Sequence, residues 1–144
     1  MTATYTFDIL STLDGYGAYG PDGDWGGYWG KQGPELLDRR PTLYDREQRM
    51  VFGANTFRQT DVEECARAAR ASAGDRAVMI HGAGAAQALL RAGLMDELEI
   101  HLVPVLVGEG RRLFERLGDR HVELELARRL EDRDVTHLRY RVRR

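Results

Sequence analysis

A short apolar run, a glycine turn, a run of helix formers and a second β-rich run follow one another between Ala77 and Gly110, and few folds accept that order. Asp75-Arg76 precede the run Ala77 to Ile80, which reads as a buried strand stopping at Gly82. Small residues there let a ligand or another backbone approach closely. Ala85 to Ala92 reads as a helix ended by Gly93 in a left-handed cap, and Leu98 to Val107 as the next strand. A helix that starts directly after such a turn aims unpaired backbone N–H groups, and the positive end of its dipole, at whatever sits above it. A phosphate suits that position. Gly82-Ala83-Gly84 lacks the third spaced glycine and the downstream acid of a dinucleotide-binding fingerprint. Two readings therefore stand at the turn: phosphate binding, and tight packing of helix on strand.

The chain of 144 residues makes one domain, 1–144, and buries about two thirds of the surface its unfolded form exposes. A net charge of −2 with both signs interleaved offers no field for nucleic acid or a membrane surface. Cys65, the single cysteine, has no internal partner, which points to a reduced, cytoplasmic protein. Met1 leads almost directly into a strand pattern and no apolar run reaches spanning length, so neither a leader nor a membrane segment is expected. No metal is expected either, since His81, His101, His121 and His137 share no ligand spacing. His81 abuts the glycine turn, where it touches phosphate or closes a strand-end hydrogen bond.

Along the chain, Thr4 to Leu13 alternates as a strand and ends in Asp14-Gly15. Asp14 either serves turn chemistry alone or faces a cleft at the carboxyl end of that strand, where open α/β sheets place ligands. From Gly15 to Gly33 glycines alternate with aromatics, which argues for a mobile lid without regular structure. Trp25 and Trp29 either stack on a flat ligand or plug one end of the core. Pro34 to Arg49 reads as helical segments broken at Pro41, with Glu35 and Asp38 as helix-start charges, and Arg49 to Phe52 as a short strand. Asn55 and Thr56 then cap a helix or reach a phosphate. Thr60 to Ala73 is a helix capped by Thr60 or Asp61 and closed by Gly74. Val122 to Leu130 and Val135 to Val142 form an antiparallel closing hairpin with one wet face, which Arg139, Arg141, Arg143 and Arg144 solvate.

Five segments, in this order, carry a resemblance: Ser11-Thr12-Leu13-Asp14-Gly15; Met50-Val51-Phe52-Gly53-Ala54-Asn55-Thr56-Phe57; Gly82-Ala83-Gly84; Ala92-Gly93-Leu94-Met95-Asp96-Glu97-Leu98; and Pro104-Val105-Leu106-Val107-Gly108-Glu109-Gly110 with Leu113-Phe114. Together they resemble the dihydrofolate-reductase-like family that includes the reductase domain of riboflavin biosynthesis. The resemblance implies a three-layer α/β/α fold with a mixed, mainly parallel sheet and a C-terminal antiparallel hairpin. It also implies an NADPH-dependent reductase that passes hydride to a small heterocyclic substrate. By position, Gly53, Asn55 and Thr56 lie under the cofactor's phosphates from one side, and Gly82, Ala83, Gly84 and Ala85 from the other. Asp14 borders substrate and nicotinamide as the catalytic candidate, with Trp25 and Trp29 against the substrate. A non-catalytic ligand-binding or structural protein that keeps the fold is the alternative.

Two departures from the family stand out. Ala54 occupies the place where the family usually has an arginine that grips phosphate, which removes a bidentate contact. Only Arg58, Gln59 and Thr60 join Phe57 to the helix at Asp61, where family members carry the rest of a helix and two more strands, so either the sheet is truncated in the middle and the cofactor site damaged, or a segment is omitted from the sequence there. A truncated sheet, and an apolar run from Leu98 to Val107 that needs cover on both faces, together predict a homodimer.

Overall fold

The computed structural model describes residues 3–18, 48–51 and 61–144. Trp25, Trp29, Gly53, Asn55, Thr56, the helical segments expected between Pro34 and Glu47, and the Arg58–Thr60 junction lie outside the described residues. Eight strands and two helices are described: β1 (Tyr5–Thr12), β2 (Tyr16–Ala18), β3 (Gln48–Val51), α1 (Val62–Ala73), β4 (Ala77–Ile80), α2 (Ala83–Arg91), β5 (Glu97–Val103), β6 (Arg111–Arg112), β7 (Leu124–Glu131) and β8 (Thr136–Val142). The main sheet runs β3-β4-β1-β5-β8-β7. Its first four strands are parallel, and β8 and β7 are antiparallel additions, so the sheet is mixed and mainly parallel as expected.

Both crossover helices pack on one face. Ala66 and Ala73 of α1 and Ala83, Ala85, Ala86, Leu89 and Leu90 of α2 share a core with Tyr5, Phe7, Val78, Ile80 and Leu98. Small residues on the helices let them lie close to the sheet, and the larger strand side chains fill the space between. Phe7 meets Phe114 edge to face at 6.3 Å between centroids. Tyr5, on the same face, donates its hydroxyl to the Ala66 carbonyl and lies under the Arg70 guanidinium, 4.6 Å from the ring centroid. Burial raises its pKa above the ordinary phenol value.

The other face is partly charged. Asp8 on β1, Glu97, Glu99 and His101 on β5, and His137, Arg139 and Arg141 on β8 fall there by the alternation of the strands. This corrects the expectation that β5 is apolar on both faces. The strand ends at Val103 because Pro104 cannot donate to a ladder, and the apolar residues beyond it belong to the following loop. Arg139 is likewise no solvated residue: it pairs with Glu97 and lies 3.9 Å from Glu99, whose side chain is 1% exposed.

The helix ends follow local chemistry. Asp61 caps α1 by accepting from the amides of Glu63 (2.8 Å) and Glu64 (3.3 Å), and Gly74 leaves the helix at φ 66°. After α2, Gly93 N–H donates to Leu90 and Leu94 N–H to Leu89, the paired bonds of a Schellman ending, with Gly93 at φ 69°. α2 begins at Ala83, earlier than its composition suggested, because Gly82 takes a φ of 93° and acts as its N-cap. The glycine-rich segment after Asp14 is not wholly irregular: Tyr16–Ala18 pairs with Arg111–Arg112. Among the described residues no helix is long and apolar enough to cross a membrane.

Candidate functional site

The parallel strands β1 and β5 end level, Thr12 opposite Val103, so the Leu13-Asp14-Gly15 turn and the loop from Pro104 to Gly110 crowd one edge of the sheet, whereas β4 stops at Ile80 opposite Phe7 and the His81-Gly82 turn sits further back along β1. This is the edge at which open α/β sheets receive ligands. Gly82 and Gly84 are exposed, whereas Ala83, Ala85 and Ala86 are buried against the core. The pattern reconciles the two readings of the turn, since packing takes the alanines and the glycines face outward. His81 is exposed beside them.

The α2 N-terminus has the chemistry of an anion cradle. Helix geometry leaves the N–H groups of Ala83, Gly84 and Ala85 without intrahelical partners, and the first such bond is Ala86 N–H to the Gly82 carbonyl. Gly82 makes no side-chain cap bond and the first turn holds no acid. The donors therefore aim outward with the positive end of the dipole behind them, which fits a phosphate.

Asp14 is held in place by its neighbours. Its Oδ1 accepts from Thr12 Oγ1 at 2.6 Å, and its Oδ2 from the amides of Gly108 (2.8 Å) and Val107 (3.2 Å). The Thr12 hydroxyl, followed by those amides, lowers the Asp14 pKa below the ordinary carboxylate value. The group is thus an ionised acceptor that binds the β1 turn to the β5 loop. Further bonds complete the same stitching: Leu13 N–H to Val105 at 3.0 Å, Tyr16 N–H to Thr12 Oγ1 at 2.9 Å, and Leu113 N–H to Gly15 at 3.0 Å.

Gln87, which no sequence signal singled out, ties α2 into this assembly. Its side-chain amide donates to the carbonyls of Leu113 (3.0 Å) and Arg112 (3.3 Å), and the residue is buried. A polar residue at a buried helical position is the only hint the chain offered. Gly17 allows the same region to close up, because a Cβ there would meet Leu113 Cδ2 at 2.4 Å. The Asp14 turn, the β5 loop and, through Gln87, α2 are thus braced together. Gly53, Asn55, Thr56, Trp25 and Trp29 lie outside the described residues, so the second half of the expected cradle is not placed.

Comparison with known proteins agrees with this fold. Residues 61–138, more than half of the chain, match the model of the RibD C-terminal domain. Among solved structures, a Shewanella sp. PV-4 protein ascribed to riboflavin biosynthesis is similar at 19% identity and a TM-score of 0.63, with 99% of each chain covered. RibD of Acinetobacter baumannii is similar at 14% identity and a TM-score of 0.65, with 99% of this chain and 58% of that one covered. The riboflavin biosynthesis reductase of Saccharomyces cerevisiae is similar at 14% identity and a TM-score of 0.60, with 99% of this chain and 90% of that one covered. At such identities the likeness speaks for the fold. None of the curated proteins matches the chain.

Proposed function

The chain belongs to the RibD C-terminal domain family, and on that premise we propose that it is a reductase that takes hydride from NADPH and delivers it to a small heterocycle of pterin or flavin-precursor type. The observation that carries this reading is the open N-terminus of α2 at the carboxyl end of β4. Bound NADPH supplies the hydride. The amides of Ala83, Gly84 and Ala85 hold a cofactor phosphate, and Gly82 lets it approach the backbone. Gly53, Asn55 and Thr56 hold the phosphates from the other side, and Trp25 and Trp29 border the substrate. Asp14, ionised, orients substrate or a water through its acceptor lone pairs rather than giving up a proton itself.

Titrating the protein with NADPH and with NADH, while following tryptophan fluorescence, tests the proposal. Saturable quenching by NADPH is expected; no saturable response to either nucleotide overturns it. The engagement of Asp14 by Thr12, Val107 and Gly108 favours one rival, a protein that binds ligand without turnover. Saturable binding without loss of NADPH absorbance, across a panel of pterin and pyrimidine substrates, would select that rival.

We also propose that the chain is a homodimer. Support comes from the edge strand β7, where Leu124 and Leu126 are exposed, and from exposed Leu106 in the loop after β5. Light scattering coupled to size exclusion is expected to report about twice the chain mass of 16.3 kDa, and a monodisperse monomer would refute it.

A further inference from the structure

The open end of α2 and the Asp14 turn lie apart on the sheet. β4 stops at Ile80 opposite Phe7 while β1 runs on to Thr12, so the two strand ends are separated by the stretch 7–12, about 16 Å at the usual strand rise. Residues 111–114 bridge that distance. Arg111 and Arg112 pair with Ala18 and Tyr16 just past the Asp14 turn, and Phe114 meets Phe7 edge to face.

Gln87 grips the middle of the bridge. It is 8% exposed and donates its Nε2 to the carbonyls of Leu113 at 3.0 Å and Arg112 at 3.3 Å. Carbonyls only accept, so they fix which end of the carboxamide faces them. The same backbone continues the bonds: Leu113 N–H to the Gly15 carbonyl, Tyr16 N–H to Thr12 Oγ1, Thr12 Oγ1 to Asp14 Oδ1, and the amides of Val107 and Gly108 to Asp14 Oδ2. One turn later on α2, Arg91 donates to the Arg116 carbonyl at 2.9 Å, but in an exposed position where water competes. Among the described residues, Gln87 supplies the buried side-chain bonds from α2 to this segment.

The residue also stands one turn in from the helix start. Ala83 and Gly84, whose amides are open, precede it by one turn and lie on its stripe of α2. A terminus without a cap frays from its first turn, and an anion that takes those amides steadies it. β6 is two residues long and pairs in an irregular register, so its own ladder fixes it little. Its position follows the carboxamide.

We propose that Gln87 is a positioning residue: it carries the order that an anion imposes on the first turn of α2 to Arg112 and Leu113, and through Gly15 and Thr12 to the Asp14 turn. The inference rests on the reductase reading for the identity of the anion, a cofactor phosphate. The grip itself stands on the bonds of Gln87.

The test is hydrogen exchange on the full chain, with and without NADP⁺, which carries the phosphates of the cofactor and survives acid. With each protein at about ten times its own Kd, wild type is expected to slow by about tenfold in 83–86, 13–17 and 107–114. Gln87→Leu keeps the bulk and loses both donors. It is expected to keep the slowing in 83–86 and to lose it in 13–17 and 107–114.

Gln87→Glu separates a donor from a filler. Ionised, it sets lone pairs against two carbonyls; protonated, it is a donor of the same shape, and burial beside those carbonyls favours the proton. The charged side chains on the joined elements are engaged elsewhere or exposed: Arg91 bonds Arg116, Arg112 lies 5.2 Å from the Tyr16 ring centroid, Asp14 is held by Thr12, Val107 and Gly108, and Glu109, Arg111 and Glu115 are exposed. The variant is therefore expected to behave as Gln87→Leu at neutral pH and to approach wild type on acidification. Slowing in Gln87→Leu that matches wild type, or no acid recovery in Gln87→Glu, overturns the proposal. Should wild type not bind NADP⁺, the reductase reading falls and ligand-free exchange decides the grip: faster exchange in 107–114 of Gln87→Leu with β8 unchanged supports it, and equal exchange overturns it. Should Gln87→Leu fail to fold, the Gln87→Glu series decides alone.

Discussion

The two described helices begin in opposite ways. At α1 the Asp61 carboxylate takes the amides of Glu63 and Glu64, and both of those residues add negative charge to the first turn. At α2 a glycine at φ 93° occupies the cap, makes no side-chain bond and is followed by no acid. Both helices cross over on the same face of the same sheet and feed one core, so packing does not account for the contrast. One terminus satisfies its own donors and the other leaves them without a cap. An open, acid-free N-terminus at the carboxyl edge of parallel strands is thus more informative than a glycine count.

The comparison breaks most readily at Gly84. Gly84→Asp gives α2 the acidic first turn of α1. NADPH affinity is expected to fall by about tenfold to a hundredfold, roughly 1.4–2.8 kcal/mol, through like-charge repulsion. The helix itself is expected to gain a few tenths of a kcal/mol from the dipole. Fluorescence titration alongside thermal melting separates the two effects, and unchanged affinity in a folded variant would remove the anion role from α2.

Gly82→Ala tests the cap's backbone. A side chain at φ 93° is strained, so a stability loss of about 1–2 kcal/mol is expected in urea unfolding. A neutral result would mean that the turn relaxes. At the closed terminus, Asp61→Ala is expected to cost about 1 kcal/mol of stability and to leave NADPH affinity as it was. Weakened binding in that variant would show that the two ends are coupled.

The mildest test concerns Asp14, which clamps loop amides much as Asp61 clamps helix amides. Its folded pKa is lowered, so the stabilisation is fully present above the ordinary carboxylate range and is lost as pH falls through the depressed folded value. Wild type is expected to lose thermal stability on acidification more steeply than Asp14→Asn. Parallel pH profiles would mean that the clamp contributes nothing to stability. Turnover unchanged across pH in Asp14→Asn would return Asp14 to a purely structural role.

Much of this was legible in residues 61–112. Asp61, Gly74 and Gly93 punctuate the helices through local backbone chemistry, and the apolar run Ala77–Ile80 could hardly be other than a buried strand. The end of β5 was misread because an apolar run continues past Pro104, although the missing N–H of that proline was itself a stop signal. Tyr16–Ala18 escaped notice because its pairing partner, Arg111–Arg112, is two residues long and charged, with no strand pattern of its own.

By itself the sequence determined the strand–turn–helix–strand unit, the caps and the family, since these depend on dihedral preferences and periodicities that act over a few residues. The tertiary structure alone decided what Asp14 binds, which face of β5 is charged, and that His101 meets His137 and Asp8. Those partners lie 94, 36 and 93 residues apart. Only the strand order, with β1 inserted between β4 and β5 and β8 added antiparallel beside them, brings such groups to hydrogen-bonding distance, and no local propensity encodes that order.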